Sequence, residues 1–219
     1  MTDTVSTEVQ PSPPSGPWLR IMARVYDPFV WLGETVGMRN RRRELLADAR
    51  GRVVELGAGT GLNMAHYPEA VTELVLTEPD EAMRRRLARR LRRQGRVAQI
   101  VDAPGERLPL PDASVDTVVS TLVLCTVDDP ERTLGEIARV LRQDGQLLFV
   151  EHVRASSRFL AACQDYFVRP WAGFAGGCHC NRATVELMRA CGFTVAADEH
   201  VWRGMPAIVH PIVAGRASL

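Results

Sequence analysis

Three glycines at alternate positions are the first residues whose spacing could do chemistry. The segment VVELGAGTGLN covers residues 53–63, and Gly57, Gly59 and Gly61 fall where an apolar run gives way to a helix. Glycine at such a turn permits positive φ and removes the Cβ that would block a ligand. The free N–H groups at the helix start then favour an anionic group such as a phosphate or a carboxylate. The turn therefore predicts a ligand site, with a purely structural turn as the alternative.

Two acids flank this turn and narrow the choice of ligand. Glu55 precedes Gly57 by two residues, and Glu78 ends the next apolar run. A carboxylate at that second position accepts both hydroxyls of a ribose and repels a 2′-phosphate. Glu55 suits a ligand with a positive ammonium group, which a dinucleotide lacks, and Leu62 stands where the dinucleotide fingerprint requires glycine. These features describe S-adenosylmethionine, with NAD as the second candidate.

The segment GGCHCN at 176–181 raises the question of a metal site. Cys178, His179 and Cys180 are all potential ligands. Zinc sites use spaced cysteine pairs with a second pair elsewhere, and the sequence has no such second pair. Neighbouring positions also point their side chains in different directions. We therefore predict no metal, and a glycine-rich loop that borders the substrate pocket.

Apolar runs that alternate with helical segments after Gly51 predict the fold that positions these residues. Near-continuous apolar runs suit parallel strands covered on both faces, and this order predicts a doubly wound α/β sheet with its ligand at the carboxyl ends of the strands. The predicted strands are 52–58, 73–78, 96–103, 115–124 and 146–153, with two more near 193–202 and 207–217. The predicted helices are 81–94 with Gly95 as its stop, one with Asp129 as N-cap and Pro130 in its first turn, and 181–192.

The N-terminal part divides into two predicted segments before the domain at 51–219. Residues 1–16 are polar and rich in proline and serine, which predicts a disordered tail. Residues 17–50 have a helical pattern that we expect to break near Pro28 and Gly33.

Composition excludes several classes of protein. A net charge of +1 gives no field suited to nucleic acid, and five cysteines are too few for a disulfide scaffold in 219 residues. No apolar run reaches the length of a membrane span and no secretory signal opens the chain, so we expect a cytoplasmic protein. The arginine-rich stretches 39–46 and 84–93 predict solvated helix faces, with contact to an anionic membrane as the alternative.

Four motifs in order resemble the class I S-adenosylmethionine-dependent methyltransferases. They are VVELGAGTG, LTEPD, LPLPDASVDTVVSTLVLC and RVLRQDGQLLFVEHV. Within that superfamily the chain is most similar to the methyltransferase-like thiol S-methyltransferases, through SVDTVVSTLVLC, EHV, the GGC at 176–178 and the HP at 210–211. The resemblance implies a Rossmann-like, seven-stranded, mostly parallel sheet with an N-terminal helical lid, and S-adenosyl-L-methionine as cofactor.

The resemblance also implies a set of cofactor residues. The Thr121–Leu122 segment would lie beside the methionine sulfur, and Pro104, Gly105 and Glu106 would face the adenine. Many relatives have Asp-Ala where this chain has Pro104 and Gly105, which leaves Glu106 or backbone groups to select the adenine. The full predicted set is Glu55, Gly57, Ala58, Gly59, Gly61, Asn63, Glu78, Pro79, Gly105, Glu106, Thr121 and Leu122.

Methyl transfer needs alignment more than it needs acid–base chemistry, since the sulfonium is already an excellent leaving group. For a thiol acceptor one histidine suffices, and His152 at the end of the fifth predicted strand is the candidate, with Glu151 to orient it. Tyr26 and Asp27 would lie over the pocket if the N-terminal segment is a lid, and Cys178 would contact the substrate. The alternatives are a histidine that only satisfies backbone groups and a tyrosine that only packs.

The sequence therefore predicts a methyltransferase for a small-molecule acceptor, which we expect to be an apolar thiol. Two alternatives keep the cofactor and change the acceptor to a phospholipid amine or a quinone carbon, with the arginine-rich faces on an anionic membrane. A third is a non-catalytic protein that binds S-adenosylmethionine. The sequence does not indicate an oligomeric state.

Overall fold

The computed structural model describes residues 16–219 and contains one seven-stranded sheet. The predicted tail therefore lies outside the described residues apart from Gly16. The strands are β1 (Gly51–Leu56), β2 (Val71–Thr77), β3 (Gln99–Val101), β4 (Val115–Thr121), β5 (Leu141–His152), β6 (Thr194–Val201) and β7 (Pro211–Ser218). Helices separate β2 from β3, β4 from β5 and β5 from β6, whereas β1 leads to β2 and β3 leads to β4 through loops, so the predicted alternation holds only in part.

The strand order is β3-β2-β1-β4-β5-β7-β6. Neighbours from β3 to β5 pair in parallel, and β7 is antiparallel to both β5 and β6. The doubly wound, mostly parallel sheet is thus confirmed. The order reverses between β1 and β4, and the carboxyl ends of these strands meet at the edge where such sheets bind ligands.

The helices cover both faces of this sheet. Two of them begin as predicted, because Asp80 and Asp129 each accept a hydrogen bond from a backbone N–H in the first turn, at 2.9 Å. The helices are α1 (Pro17–Gly33), α2 (Arg39–Leu46), α3 (Glu81–Gln94), α4 (Pro130–Val140), α5 (Arg158–Phe174) and α6 (Thr184–Ala190), with one π-helical turn at Glu34–Met38 and a 3₁₀ turn at Ala207–Val209.

Several details of the sequence-based assignment were wrong, and the strand predicted at 96–103 is only the short β3. Helix α1 continues through Pro28, and the irregular turn comes after Gly33. Helix α6 begins at Thr184, and not at Asn181. Helix α5 was missed altogether, because its aromatic residues and internal Pro170 obscure the helical period.

The core consists of apolar residues on the two faces of the central strands. Leu56, Val118 and Phe149, on three neighbouring parallel strands, are fully buried. The rigid sheet fixes where each strand ends, and so fixes the side chains that follow. Among residues 16–219, no helix is long and apolar enough to cross a membrane.

Candidate active site at the carboxyl ends of the strands

The glycine turn after β1 has the positive φ angles that its sequence predicts, but the helix expected after it is wrong: residues 57–70 form turns and no helix before β2 begins. Gly57, Gly59 and Gly61 have φ angles of 51°, 55° and 83°. A Cβ on Gly57 would lie 2.9 Å from Val123, and one on Gly61 would lie 2.7 Å from Leu87, so both glycines allow close packing inside the protein. A Cβ on Gly59 would meet only a backbone oxygen at 3.8 Å. The bare side of Gly59 therefore leaves space for a ligand.

Glu78 follows β2 and lies beside this turn. Its carboxyl group accepts hydrogen bonds from the N–H of Gly59 at 2.8 Å and of Asp80 at 2.9 Å. Burial raises the pKa of Glu78 to about 7, against the lowering effect of these two hydrogen bonds. Ala58 is tied to β2 through its N–H and the carbonyl of Thr77, and Pro79 follows Glu78 directly. The predicted ribose acceptor thus lies beside the open glycine.

Glu55 lies beneath the turn at the centre of a buried network. One of its oxygens accepts from Asn63 at 2.9 Å and the other from the Tyr67 hydroxyl at 2.6 Å. Burial raises its pKa to about 7, and these two hydrogen bonds lower it. Asn63 also donates to Thr121 at 2.7 Å, which links the turn after β1 to the end of β4. Both oxygens of Glu55 are therefore engaged by protein groups.

The same network extends to the segment that leads out of α1. Arg42 donates to the Asn63 side chain at 2.9 Å and to Glu34 at 3.0 Å, and all three side chains are buried. Buried charges of this kind are tolerated only when they are paired. The network therefore fixes the π-helical turn against the glycine turn.

Asp27 connects α1 to the cofactor side of the site. Its carboxylate accepts from Thr60, between Gly59 and Gly61, at 2.5 Å, and pairs with Arg90 of α3 at 2.5 Å. Arg86 lies within 3.7 Å of the same carboxylate. Helix α1 thus covers the glycine turn and is attached to it by a side chain.

Removal of this attachment should weaken cofactor binding. We expect Asp27→Ala to bind S-adenosylhomocysteine about fivefold more weakly, because a partly exposed ion-pair cluster contributes up to about 1 kcal/mol. The measurement is isothermal titration calorimetry. Asp144→Ala is the control. Asp144 is exposed in the amino-terminal part of β5, far from the carboxyl ends of the strands where the site lies. Equal affinity in the two variants would contradict a lid role for α1.

The residues predicted to face the adenine have other contacts in this structure. Gly105 is buried, and a Cβ there would lie 3.1 Å from Thr133 of α4. Glu106 accepts from the N–H groups of Asp128 and Asp129, just before α4. Pro104 is half-buried and lies in the segment that follows β3. Their roles towards adenine stay predictions.

Leu122 has an unusual backbone conformation at the end of β4. Its φ is 63°, in the left-handed region, and its N–H donates to Val150 of β5 at 2.8 Å. A bulky residue in this region is strained and persists only where its surroundings hold it. The strain lies where the resemblance places the reacting methyl group, next to Thr121.

Glu151 holds the loop that follows Leu122. Its fully buried carboxyl group accepts from the Ser120 hydroxyl at 2.7 Å and from three backbone N–H groups. The three donors are Val123 at 3.0 Å, Leu124 at 3.0 Å and Cys125 at 3.1 Å. These contacts favour a role for Glu151 in positioning this loop, and none of them is to His152, which Glu151 was predicted to orient.

His152 lies between two cysteines from different loops. Its Nδ1 is 3.4 Å from the Sγ of Cys125 and 3.4 Å from the Sγ of Cys178, and the two sulfurs are 3.8 Å apart. We call these three side chains the sulfur–imidazole cluster. All three are buried, and the Trp202 ring stacks on His152 with 5.6 Å between centroids. A hydrogen bond to Cys178, together with burial, raises the pKa of the Cys125 thiol well above its usual value.

Tyr26 of α1 lies close to this cluster. Burial raises its pKa to about 12, and the thiols of Cys125 and Cys178 contribute to that rise. The charges of Arg42 and Glu34 also act on the pKa of Tyr26, which therefore lies near both that buried ion pair and the cluster. The cluster packs among Val30, Met38, Val150, Met205, Val209 and Ile212.

Sequence reasoning identified several of these residues and missed others. Cys125 ends the third of the four motifs, and its convergence with His152 follows from the neighbouring positions of β4 and β5 in the sheet. Thr60, Arg42 and Tyr67 were missed because nothing local marks them. His179 and Cys180 do not join the sulfur–imidazole cluster: the His179 N–H donates to the Cys125 carbonyl at 2.7 Å, and the Cys180 carbonyl accepts from Gln164 at 2.9 Å.

Comparison with known proteins agrees with this geometry. A methyltransferase domain model matches residues 54–149. The chain is 35% identical to the thiol S-methyltransferase TMT1B of Homo sapiens, over 72% of this chain and 69% of that protein. It is 31% identical to TMT1B of Rattus norvegicus, over 82% of this chain and 79% of that protein. A SAM-dependent methyltransferase structure from Thermotoga maritima covers 92% of this chain and 97% of its own, with a TM-score of 0.68 at 22% identity, which is evidence of fold alone.

The fold, the glycine turn with its two acids, and these similarities define one class of enzyme. The chain belongs to the class I S-adenosylmethionine-dependent methyltransferases and transfers a methyl group from that cofactor to a small-molecule acceptor. Within the class, it is similar to enzymes named thiol S-methyltransferases.

Proposed function

We propose that the acceptor is a small apolar thiol and that the product is its methyl thioether. The observation that supports this proposal is the set of side chains at the carboxyl ends of β4 and β5, which we call the acceptor end of the site. The ends of β4 and β5 carry the buried sulfur–imidazole cluster with apolar side chains around it, and the buried carboxyl group of Glu151 is occupied by four donors of the protein. An apolar acceptor gains free energy when such a surface is covered. The similarity to the human and rat thiol S-methyltransferases supports the same class of acceptor.

The site has a cofactor side and an acceptor end, and different residues act at each. S-adenosylmethionine supplies a methyl group on a sulfonium when it is bound. On the cofactor side, Glu78 accepts the ribose hydroxyls, and Gly59 leaves room for the ligand beside the turn. Thr121 and Leu122 lie between the two ends, where they fix the line of attack. Alignment of this kind can lower the barrier by about 7–11 kcal/mol in favourable cases.

The transfer itself is an in-line displacement. The lone pair of the acceptor sulfur forms the new S–C bond while the bond from the methyl carbon to the sulfonium sulfur breaks. The electron pair of that bond stays on the sulfur of S-adenosylhomocysteine. The proton of the acceptor thiol passes to a base, which is His152 in this proposal. Because a free thiol has a pKa near 8.5, only modest assistance is needed, and His152 is the residue predicted to provide it.

A matched acceptor panel tests the proposal. We expect methyl transfer from labelled S-adenosylmethionine to 1-hexanethiol and none to 1-hexanol, since the two differ only in the nucleophilic atom. The product is identified as the thioether by mass spectrometry. Glu78→Ala serves as the inactive control because it removes the ribose acceptor.

Two further arms of the same panel address other acceptors. One arm presents phosphatidylethanolamine and the other a demethylated quinone, both in anionic vesicles, because Trp18, Ile21, Trp31 and Leu32 of α1 expose apolar side chains near arginines. Label in either lipid with none in the thiol would replace the thiol proposal by N- or C-methylation. Absence of label in every arm would favour a protein that binds the cofactor without turnover.

A further inference from the structure

The sulfur–imidazole cluster brings together three metal-binding atoms from three separate segments. Cys125 lies in the loop after β4, His152 at the end of β5 and Cys178 in the loop after α5. Their ligand atoms all lie within 4.8 Å of one another. The spacing of these residues in the sequence does not indicate a metal site, because they are 26 to 53 positions apart.

Hydrogen bonding does not account for all three contacts. A neutral imidazole Nδ1 has a single site in the ring plane, so it either donates once or accepts once. Two thiols around it can therefore satisfy two of the three close pairs, and one pair is left without a hydrogen bond. Among the described residues, the other ring nitrogen, Nε2, is buried with no partner at all. The convergence of the three atoms needs another explanation.

The spacing of the three atoms matches a tetrahedral zinc ion. With Zn–S near 2.3 Å and Zn–N near 2.0–2.1 Å, two thiolate sulfurs lie roughly 3.8 Å apart and sulfur and nitrogen roughly 3.6 Å apart. The observed separations are 3.8 Å between the sulfurs and 3.4 Å from each sulfur to Nδ1. We propose that Cys125, His152 and Cys178 bind one zinc ion through two thiolates and Nδ1.

The backbone around the cluster is held in place before any ion binds. Glu151 accepts the N–H of Cys125, and the Cys125 carbonyl accepts the N–H of His179, next to Cys178, at 2.7 Å. Arg182 donates to the carbonyls of Leu124 at 2.6 Å and Val127 at 2.7 Å, which fixes the same two loops together. Ligands on segments positioned in this way lose little freedom on binding, which favours a metal site.

Three protein ligands leave the fourth position of the ion open. Sites of this composition, with two cysteines and one histidine, are typical of catalytic zinc. This step rests on the proposed function: the open position takes the sulfur of the acceptor thiol, whose proton is released to solvent as the sulfur binds. Two thiolates and a neutral imidazole leave the zinc site uncharged, and the bound acceptor is held as a thiolate beside Thr121. His152 then acts on the thiol proton through the ion, as a ligand and not as a base.

Metal content tests the site without reference to activity. The untagged full chain is reduced with a phosphine, because thiol reductants would compete as ligands, and is loaded with zinc chloride and desalted. We expect about one zinc per chain by plasma mass spectrometry. Cobalt loaded in the same way should give tetrahedral visible bands and a thiolate charge-transfer band. Zinc below about one tenth per chain, or cobalt without a thiolate band, would overturn the proposal.

Single variants locate the ligands. Cys125→Ser, Cys178→Ser and His152→Gln should each lose at least tenfold in zinc affinity, measured by competition with a chromogenic chelator. Cys163→Ser and Cys191→Ser are matched controls, because both thiols are only half-buried and lie outside the cluster. Binding of S-adenosylhomocysteine by each variant reports a folded cofactor site. Zinc bound equally by the ligand and control variants would refute the assignment. If a variant does not fold, the cobalt spectrum of the native chain shows by its thiolate band whether cysteines bind the ion.

The failure of the metal site and the failure of the thiol proposal give different results. If zinc binds as expected but 1-hexanethiol is neither methylated nor able to shift the cobalt spectrum, the site stands and the acceptor assignment falls. If 1-hexanethiol is methylated at the same rate by zinc-free and zinc-loaded protein, the acceptor stands and the binding of the acceptor sulfur to zinc falls, while the metal content alone decides the site. A shift with 1-hexanethiol and none with 1-hexanol supports both.

Discussion

Glu78→Ala weakens the binding of S-adenosylhomocysteine by about 100-fold or more. A hydrogen bond to a charged group contributes about 1.5–3 kcal/mol, and the ribose offers two hydroxyls to this carboxylate. Each 1.4 kcal/mol corresponds to a factor of about ten in affinity. The side chain also orders the turn through the N–H groups of Gly59 and Asp80, so its removal loosens the site as well. Isothermal titration calorimetry measures the change directly.

A second glutamate on the same strand provides the control. Glu73 lies at the other end of β2, where its half-exposed side chain pairs with Arg52 at 3.1 Å. Glu73→Ala should bind the ligand as the native chain does. If Glu78→Ala retains affinity within about threefold of the native chain, the assignment of the ribose site to Glu78 is wrong.

The affinity should also depend on pH through Glu78. Its pKa is about 7 without ligand because burial disfavours the charged form, and the ionised form is the one that accepts two hydroxyls. The ionisation of Glu78 alone should therefore make the affinity about tenfold lower at pH 6 than on the plateau above pH 8, and Glu78→Gln should reduce that difference to whatever Glu55, whose pKa is also raised to about 7, contributes. In the ligand-free protein the raised pKa stabilises the fold below pH 4.5, and this contribution is lost as the pH rises through about 7. A native affinity that is flat from pH 6 to pH 8 would contradict this account.

The parts of the molecule that sequence reasoning predicted are those set by local patterns. Apolar runs fixed the parallel strands, and the N-caps Asp80 and Asp129 mark where α3 and α4 begin. The glycine turn follows from sterics at three neighbouring positions, and Glu78 from its place at a strand end. Each of these signals lies within a few residues of the feature that it predicts.

The parts that were missed depend on contacts between distant segments. The sequence predicts that Glu151 orients His152, but four donors from β4 and its loop occupy the carboxyl group of Glu151. The sulfur–imidazole cluster joins two loops and the end of β5, whose meeting depends on strand order. Pro28 suggested a break in α1, yet packing of α1 on the domain keeps the helix continuous. Tertiary contacts overrule the local signal in each case.

Glu151→Ala should be the most destabilising single change in the site. It leaves the Ser120 hydroxyl and three backbone N–H groups without their acceptor inside the protein, and loss of one partner from a buried polar network costs about 3–5 kcal/mol. In a chain of this length that loss lowers the melting temperature by roughly 10–15 °C. Differential scanning calorimetry measures it. Glu151→Gln keeps the volume and one acceptor oxygen, so its loss should be smaller.

The Glu151→Gln variant also distinguishes a positioning role of Glu151 from a catalytic one. Glu199→Ala, on exposed β6, is the control for stability and should melt with the native chain. If Glu151 only positions the loop that carries Leu122 and Cys125, then Glu151→Gln, assayed well below its melting temperature, should lose methyl transfer and zinc affinity together, because both depend on that loop. A variant that melts with the native chain yet loses all turnover would show instead that Glu151 contacts the reacting atoms. Since the carboxyl group already accepts four hydrogen bonds, we expect the first result.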